Sequence, residues 1–269
     1  MPSVPVDGVE LSYEERGGGD PVLLIHGTGG NVWDPLPGML ASAGHRVIAY
    51  DRRGFGASAH PAIKDPPRHT ADAAALLQGL NAVPAIVVGH SMGGIIALDL
   101  AARHPDLVRA LVLVEPPLHF KKHPSATMIR SLLVAQVIRR ARGEQVAAER
   151  FFRFATSTTD GGNGYDLTPP DERAKLMANA PAVMRELDSG TGEHVTAADI
   201  AGIGCPVVCL VGTITLPDYR RAADRIVKAR PATRLVTVEG AGHILPVSHP
   251  QAVVDAVREV TASDPAPAS

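Results

Sequence analysis

From residue 20 to residue 114, short apolar runs rich in Val, Ile, Leu and Ala alternate with segments of helical period. That alternation leaves the chain very few architectures. The runs at 21–25, 45–50, 85–89 and 110–114 are continuous rather than alternating. A strand wetted on one face alternates apolar and polar residues. A continuous run belongs in a parallel sheet covered by helices on both faces. Helical patterns at 36–43, 70–80 and 95–103 supply the crossovers that parallel strands need. Only 9–16 alternates, which predicts an antiparallel strand at one edge. After residue 114 the rhythm stops, and residues 116–203 carry helical patterns at 125–141, 144–155 and 171–187 but no convincing strand. It resumes with strands at 206–211 and 233–238 and helices at 218–229 and 251–261.

The run at 85–88 leads directly into Gly89-His90-Ser91-Met92-Gly93-Gly94 and then into the helix at 95–103. A serine hydroxyl is a poor nucleophile until a sharp strand-to-helix turn lifts Oγ clear of the sheet. Small flanking residues permit that turn, and the following helix aims N–H groups at the reacting centre. Ser91 is therefore the candidate nucleophile.

Ligands of open parallel sheets gather beyond the carboxyl ends of the strands. After the run at 21–25 comes His26-Gly27-Thr28-Gly29-Gly30. No Gly-Lys-Ser/Thr follows, so it is not a nucleotide-binding P-loop. Acyl transfer needs two donors for a developing oxyanion, and the Thr28 and Met92 amides are the candidates. His26 reads as a prop for the loop. After the last strand comes Glu239-Gly240-Ala241-Gly242-His243, where small neighbours let the ring swing over the sheet end. His243 is the candidate general base. His90 precedes the turn and should point away from the Ser91 hydroxyl, while His249 is expected to open the last helix. The other histidines (45, 60, 69, 104, 119, 123 and 194) read as solvated rings in loops or at helix ends, without metal-ligand spacing.

His26-Gly27, Asp51-Arg52-Arg53-Gly54-Phe55-Gly56-Ala57-Ser58, Gly89-x-Ser91-x-Gly93 and Gly242-His243 occur in the order of the α/β-hydrolase fold superfamily, which the chain resembles over essentially its whole length. The resemblance implies an α/β fold with a mostly parallel eight-stranded sheet, helices on both faces and an all-helical cap. It implies a core in two parts (1–115 and 204–262) and a cap at 116–203, and the Pro/Ala/Ser-rich composition of 263–269 predicts a disordered tail. It also implies Ser91 as nucleophile, His243 as base, the Thr28 and Met92 amides as oxyanion hole, and a structural role for Asp51 and Arg53.

One position departs from the family pattern. The usual acid slot, three residues after the glycine that ends the strand at 206–211, holds Thr215 in Gly212-Thr213-Ile214-Thr215. Something must still orient the imidazole and offset its charge. Asp218 lies three residues on, but it follows Pro217 and is placed to cap a helix. Glu115 directly follows the strand at 110–114, and Pro116 and Pro117 then favour an extended chain. Haloalkane dehalogenases and zearalenone-type lactonases take their acid from this second position. Dehalogenases use an Asp nucleophile, so the lactonases are the nearer likeness. Glu115 is the favoured acid and Asp218 the alternative; a site with no working acid is the third option.

Composition narrows the rest. The 269 residues are 45% apolar and 20% charged, with net charge −2, which gives no reason to invoke nucleic acid or an anionic membrane. No apolar run approaches the roughly 18 residues of a membrane span. The first residues also lack a basic and an apolar signal region, so a cytoplasmic location is expected. Cys205 and Cys209 lie on one expected strand, about 13 Å apart, too far for a disulfide. Aromatic residues are 4%, so the expected pocket is mainly aliphatic, with Trp33, Met128, Leu132, Phe154 and Met184 as candidate walls. The expected activity is hydrolysis of a mostly apolar, medium-to-large carboxylic ester or lactone through an acyl-enzyme, without cofactor or metal. C–C bond hydrolysis, or cyclase or lyase chemistry, on a polyketide-like substrate is the alternative; a ligand receptor without turnover is a third. The expected partner is a small-molecule substrate, and a homodimer stays open.

Overall fold

The computed structural model describes residues 1–58, 66–189 and 192–262. The expected tail at 263–269 and His60 lie outside these. Strands β1 (Ser3–Val6), β2 (Val9–Arg16), β3 (Asp20–Ile25), β4 (His45–Tyr50), β5 (Ala85–His90), β6 (Val108–Val114), β7 (Val207–Gly212) and β8 (Arg234–Val238) form one sheet in the order β1-β2-β4-β3-β5-β6-β7-β8. β1 and β2 join antiparallel, and every pairing from β4 to β8 is parallel. The α/β-hydrolase architecture expected from the sequence is the one observed. β2 is not the outer edge, because β1 pairs beyond it.

The continuous runs are buried because both of their faces are covered. Leu23, Ile25, Val87, Leu111, Leu113 and Cys209 point into one core layer, under α2 (Pro66–Gly79), α3 (Met92–Arg103) and α10 (Pro217–Ala229). Their strand neighbours Val22, Leu24, Ile86, Val88, Val112 and Leu210 point into the opposite layer, under α1 (Leu36–Ser42) and α12 (Pro250–Ala262). Alternate residues thus face opposite sides, as the pleat requires.

Between β6 and β7 the chain forms α4 (Ala126–Arg142), α5 (Glu144–Ala155), α6 (Gly164–Leu167), α7 (Pro170–Ala178), α8 (Ala180–Ser189) and α9 (Ala197–Ala201). The pattern at 171–187 is two helices rather than one. Pro181 lacks the N–H needed inside a helix and fits only the first turn of a new one. Asn179 ends α7, and its side chain donates to Gly29 O at 2.8 Å and accepts from Gly56 N at 3.0 Å. This segment has its own core around Phe152, Tyr165, Val183 and Met184, which Phe55 joins from the loop after β4. A short helix α11 (Leu245–Ser248) follows the loop after β8. Among the described residues no helix is long and apolar enough to cross a membrane.

The connection leaving β3 runs to β4 on one side and that leaving β5 runs to β6 on the other, so a crevice opens between the carboxyl ends of β3 and β5. The loop after β3 and the turn after β5 flank that crevice.

Candidate active site

Ser91 sits in the turn from β5 to α3 with φ 53° and ψ −122°, a strained conformation for a residue with a side chain. Two features hold it there. Ser91 N donates to Val114 O at 2.8 Å, tying the turn to β6. Gly93 packs so tightly beneath the turn that a Cβ would overlap Ile25 O. The loop after β3 approaches as closely: a Cβ on Gly27 would lie 2.8 Å from the Ser91 Cβ. Thr28 therefore stands beside the nucleophile. Met92 is the first residue of α3, where an N–H has no acceptor within its own helix.

His243 reaches Ser91 from the loop after β8. Its Nε2 lies 3.1 Å from Ser91 Oγ, and its Nδ1 lies 2.8 Å from Glu115 Oε2. Glu115 is fully buried at the end of β6. Its other acceptor positions are filled from the next strand: Gly212 N donates to Oε1 at 2.8 Å, and the Thr215 hydroxyl donates to Oε2 at 2.8 Å. Thr215, which occupies the usual acid slot, thus supports the carboxylate of the neighbouring strand. The chain at Glu115 is not extended as the prolines suggest. It bends sharply with φ 48°, which turns the carboxylate toward β7.

The imidazole of His243 lies between two rings. Tyr219 of α10 stacks on it at 3.9 Å between centroids, and His90 lies on another side at 4.9 Å. His90 Nε2 donates to His243 O at 2.8 Å, and Trp33 meets the His90 ring edge-on at 6.1 Å. His90 thus braces the loop that carries His243. His26 likewise props its loop, with Nδ1 donating to Gly27 O at 2.7 Å and Nε2 accepting from Arg52 N at 3.0 Å.

Asp218 does not approach the imidazole. Its carboxylate accepts from Arg221 at 3.0 Å and from the Ser125 hydroxyl at 3.2 Å. Nor does it cap α10, whose N-cap residue is Leu216 without a side-chain cap bond. Ser125 is itself the cap of α4, receiving Met128 N at 3.1 Å, so Asp218 links α10 to α4.

Two cavities open onto Ser91. Met128, Leu132 and Phe154 line one of them. Trp33 and Met184 line neither. Trp33 is 3% exposed and packs with Leu36 and Leu40 on the opposite sheet face, because its loop turns the indole inward beneath His90. Met184 is 1% exposed and fills the centre of the inserted helices. Residue type alone did not say which face either occupies.

Sequence reading missed a buried ion pair beside the oxyanion loop. Arg52 Nη1 and Nη2 donate to Glu186 Oε1 and Oε2 of α8 at 2.6 and 3.0 Å, and Nη2 also donates to Gly27 O at 3.1 Å. His69 Nε2 stands 3.9 Å from Glu186. The partners are 134 residues apart, and no local pattern pairs them.

The buried rings have a consequence for stability. Burial pulls His69 and His90 down to about 3, helped by the Arg52 charge at His69 and by His243 at His90. In the unfolded chain both titrate near 6.5. Below that pH the unfolded chain binds protons that the folded protein refuses. The stabilisation is complete above 6.5 and is lost as pH falls toward 3. Each ring contributes about 1.4 kcal/mol per pH unit, so these two rings alone should make stability in urea denaturation lower by about 3 kcal/mol at pH 5.5 than at 7.5, and buried His26, also held low, adds in the same direction. Equal stability at the two pH values would contradict the neutral, buried state of these rings.

A model of the alpha/beta hydrolase family matches residues 22–256. A putative non-heme bromoperoxidase of Mycobacterium tuberculosis, BpoC, is 30% identical over 285 aligned positions, which cover 95% of this chain and 98% of that protein. A carboxylesterase structure from the thaumarchaeon Nitrososphaera gargenis superimposes with TM-score 0.77 at 23% identity, covering 97% of this chain and 98% of that one. The enol-lactonase of Burkholderia xenovorans LB400 superimposes with TM-score 0.75 at 22% identity, covering 97% and 100%. At such identities these two structures speak for the fold alone.

Proposed function

This chain belongs to the alpha/beta hydrolase family, and from that premise we propose that it is a serine hydrolase cleaving carboxylic esters or lactones of mostly apolar substrates. The observation that carries the proposal is the continuous hydrogen-bond chain from Ser91 Oγ through His243 to Glu115, 3.1 and 2.8 Å long, at the junction of two largely apolar cavities.

In this mechanism the substrate carbonyl lies over Ser91, with the helices between β6 and β7 as a cap. His243 Nε2 takes the hydroxyl proton as Oγ attacks, and Glu115 holds the Nδ1–H and balances the imidazolium. The Thr28 and Met92 amides stabilise the oxyanion. His243 then passes its proton to the departing alcohol. Water enters, gives a proton to the same nitrogen and attacks the acyl-enzyme, releasing the acid and restoring Ser91. The stack of Tyr219 on His243 suits the charged intermediate, because an aromatic face attracts a cation.

A fluorophosphonate probe tests the nucleophile. It should label the protein at one site, and Ser91→Ala should abolish labelling while the circular dichroism spectrum stays the same. A folded wild-type protein that resists the probe and turns over no activated ester would sink the acyl-enzyme mechanism.

A further inference from the structure

The two cavities at Ser91 have different walls. They share Thr28, Ser91, Phe151 and Ala155 among the described residues. Phe151 and Ala155 stand one turn apart on one face of α5, so they form a partition above a floor of Thr28 and Ser91. On one side the space is bordered by His90, His243, Phe152, Tyr165 and Val247. On the other side it is bordered by Met92, Pro117, Phe120, Met128, Leu132 and Leu187. His243 borders only the first and Met92 only the second.

We propose that the chamber under α4 receives the acid part of an open-chain ester, that the chamber beside His243 receives its alcohol part, and that the Phe151 partition excludes large lactone rings. The proposal rests on the esterase reading above and narrows it. In the tetrahedral intermediate, the carbon bears Ser91 Oγ, the oxyanion, the leaving oxygen and the acyl chain. The leaving oxygen must come within hydrogen-bond reach of His243 Nε2, because that nitrogen returns the proton as the C–O bond breaks. The alcohol therefore extends into the chamber that His243 borders. The oxyanion points to the amides of Thr28 and Met92, and the direction left for the acyl chain is the chamber under α4.

The walls then define the acid. Met128, Leu132, Phe120 and Leu187 offer aliphatic and aromatic surface, which suits a fatty acyl group of medium length. Aromatic rings flank the other chamber, where Phe152 and Tyr165 lie parallel at 6.4 Å. In an open-chain ester the two halves separate freely around the partition. In a macrolactone they are tied into one ring, which would have to pass around Phe151 to place its halves on both sides.

A series of p-nitrophenyl esters from acetate to decanoate, an ethyl-to-naphthyl series of butyrates and a macrolactone test this with purified full-length protein. Leu132→Trp fills the chamber under α4, and its kcat/KM for octanoate should fall about tenfold or more relative to acetate. Met128→Phe is a second, milder filling. Val247→Trp fills the other chamber; it should keep the wild-type dependence on acyl length and discriminate against naphthyl butyrate. Breakdown of a common acyl-enzyme should respond to the first variant and not to Val247→Trp. Phe151→Ala should raise macrolactone turnover relative to open-chain esters. Interchanged effects of Leu132→Trp and Val247→Trp would overturn the chamber assignment. Wild-type protein that cleaves the macrolactone as fast as octanoate would overturn the partition. Absence of both probe labelling and ester turnover would instead sink the underlying esterase reading, so the two failures are distinguishable.

Discussion

Glu115→Gln should lower kcat on p-nitrophenyl butyrate by about 10³- to 10⁴-fold, while Asp218→Asn should stay within about tenfold of wild type. The large effect follows from hydrogen-bond directions around a buried carboxylate. Gly212 N donates to Oε1, and a backbone N–H cannot reverse its role. A glutamine must therefore turn its carbonyl to Gly212 and its NH₂ to Thr215 and His243. The Thr215 hydroxyl can rotate to accept. His243 Nδ1 can accept only by giving up its proton, which moves the hydrogen to Nε2, where it blocks proton abstraction from Ser91. The variant keeps size and fold and loses the working tautomer. Asp218→Asn disturbs contacts with Ser125 and Arg221, which hold α10 to α4 and do not touch the imidazole. The reverse ranking of the two variants would remove Glu115 from the mechanism.

The contrast between these acids marks what could be read from the chain alone. Ser91 and the loop holding Thr28 directly follow apolar runs, His243 lies in the loop after the last strand, and in a parallel sheet all such positions lie at one edge. Their proximity is therefore written locally. The contact between Glu115 and Thr215 depends on β6 lying beside β7, with some 90 residues between them, and only the topology places them together. The same limit hides Arg52 and Glu186, which meet across the fold. Smaller features escaped for local reasons. β1 is four residues long, contains Pro5 and sits at an edge, where a missing N–H costs the ladder nothing. The split between α7 and α8 was visible in Pro181, but the apolar period continues through it. Trp33 and Met184 show that a large apolar residue near a site is as well suited to supporting it from behind as to lining it.

Glu186→Ala should destabilise the protein by about 3–5 kcal/mol, and lower its melting temperature by about 10 °C. Arg52 has no exposed surface, and it touches His26, Gly27 O and the face of Phe55. Without Glu186 its charge would stay buried with no counter-charge beside it. Burial by itself would raise the Glu186 carboxyl, but the Arg52 charge and hydrogen bonds outweigh this and hold it well below the usual carboxylate range. That part of the stability is present above the ordinary carboxyl pKa and is lost as pH falls below it, a lower window than that of the histidines. Glu186→Ala should remove this acid-sensitive limb as well as the stability at neutral pH. The pair itself need not be strongly stabilising, because taking both ions out of water costs several kcal/mol each. Arg52→Met combined with Glu186→Leu should therefore recover most of the loss in urea denaturation, giving a large coupling between the two sites. Recovery of stability without recovery of activity would separate two roles of Arg52. One is to join α8 to the core. The other is to hold Gly27 O, so that the neighbouring Thr28 amide stays beside Ser91. A double variant no more stable than Glu186→Ala would show instead that the pair is worth more than an apolar substitute at this interface.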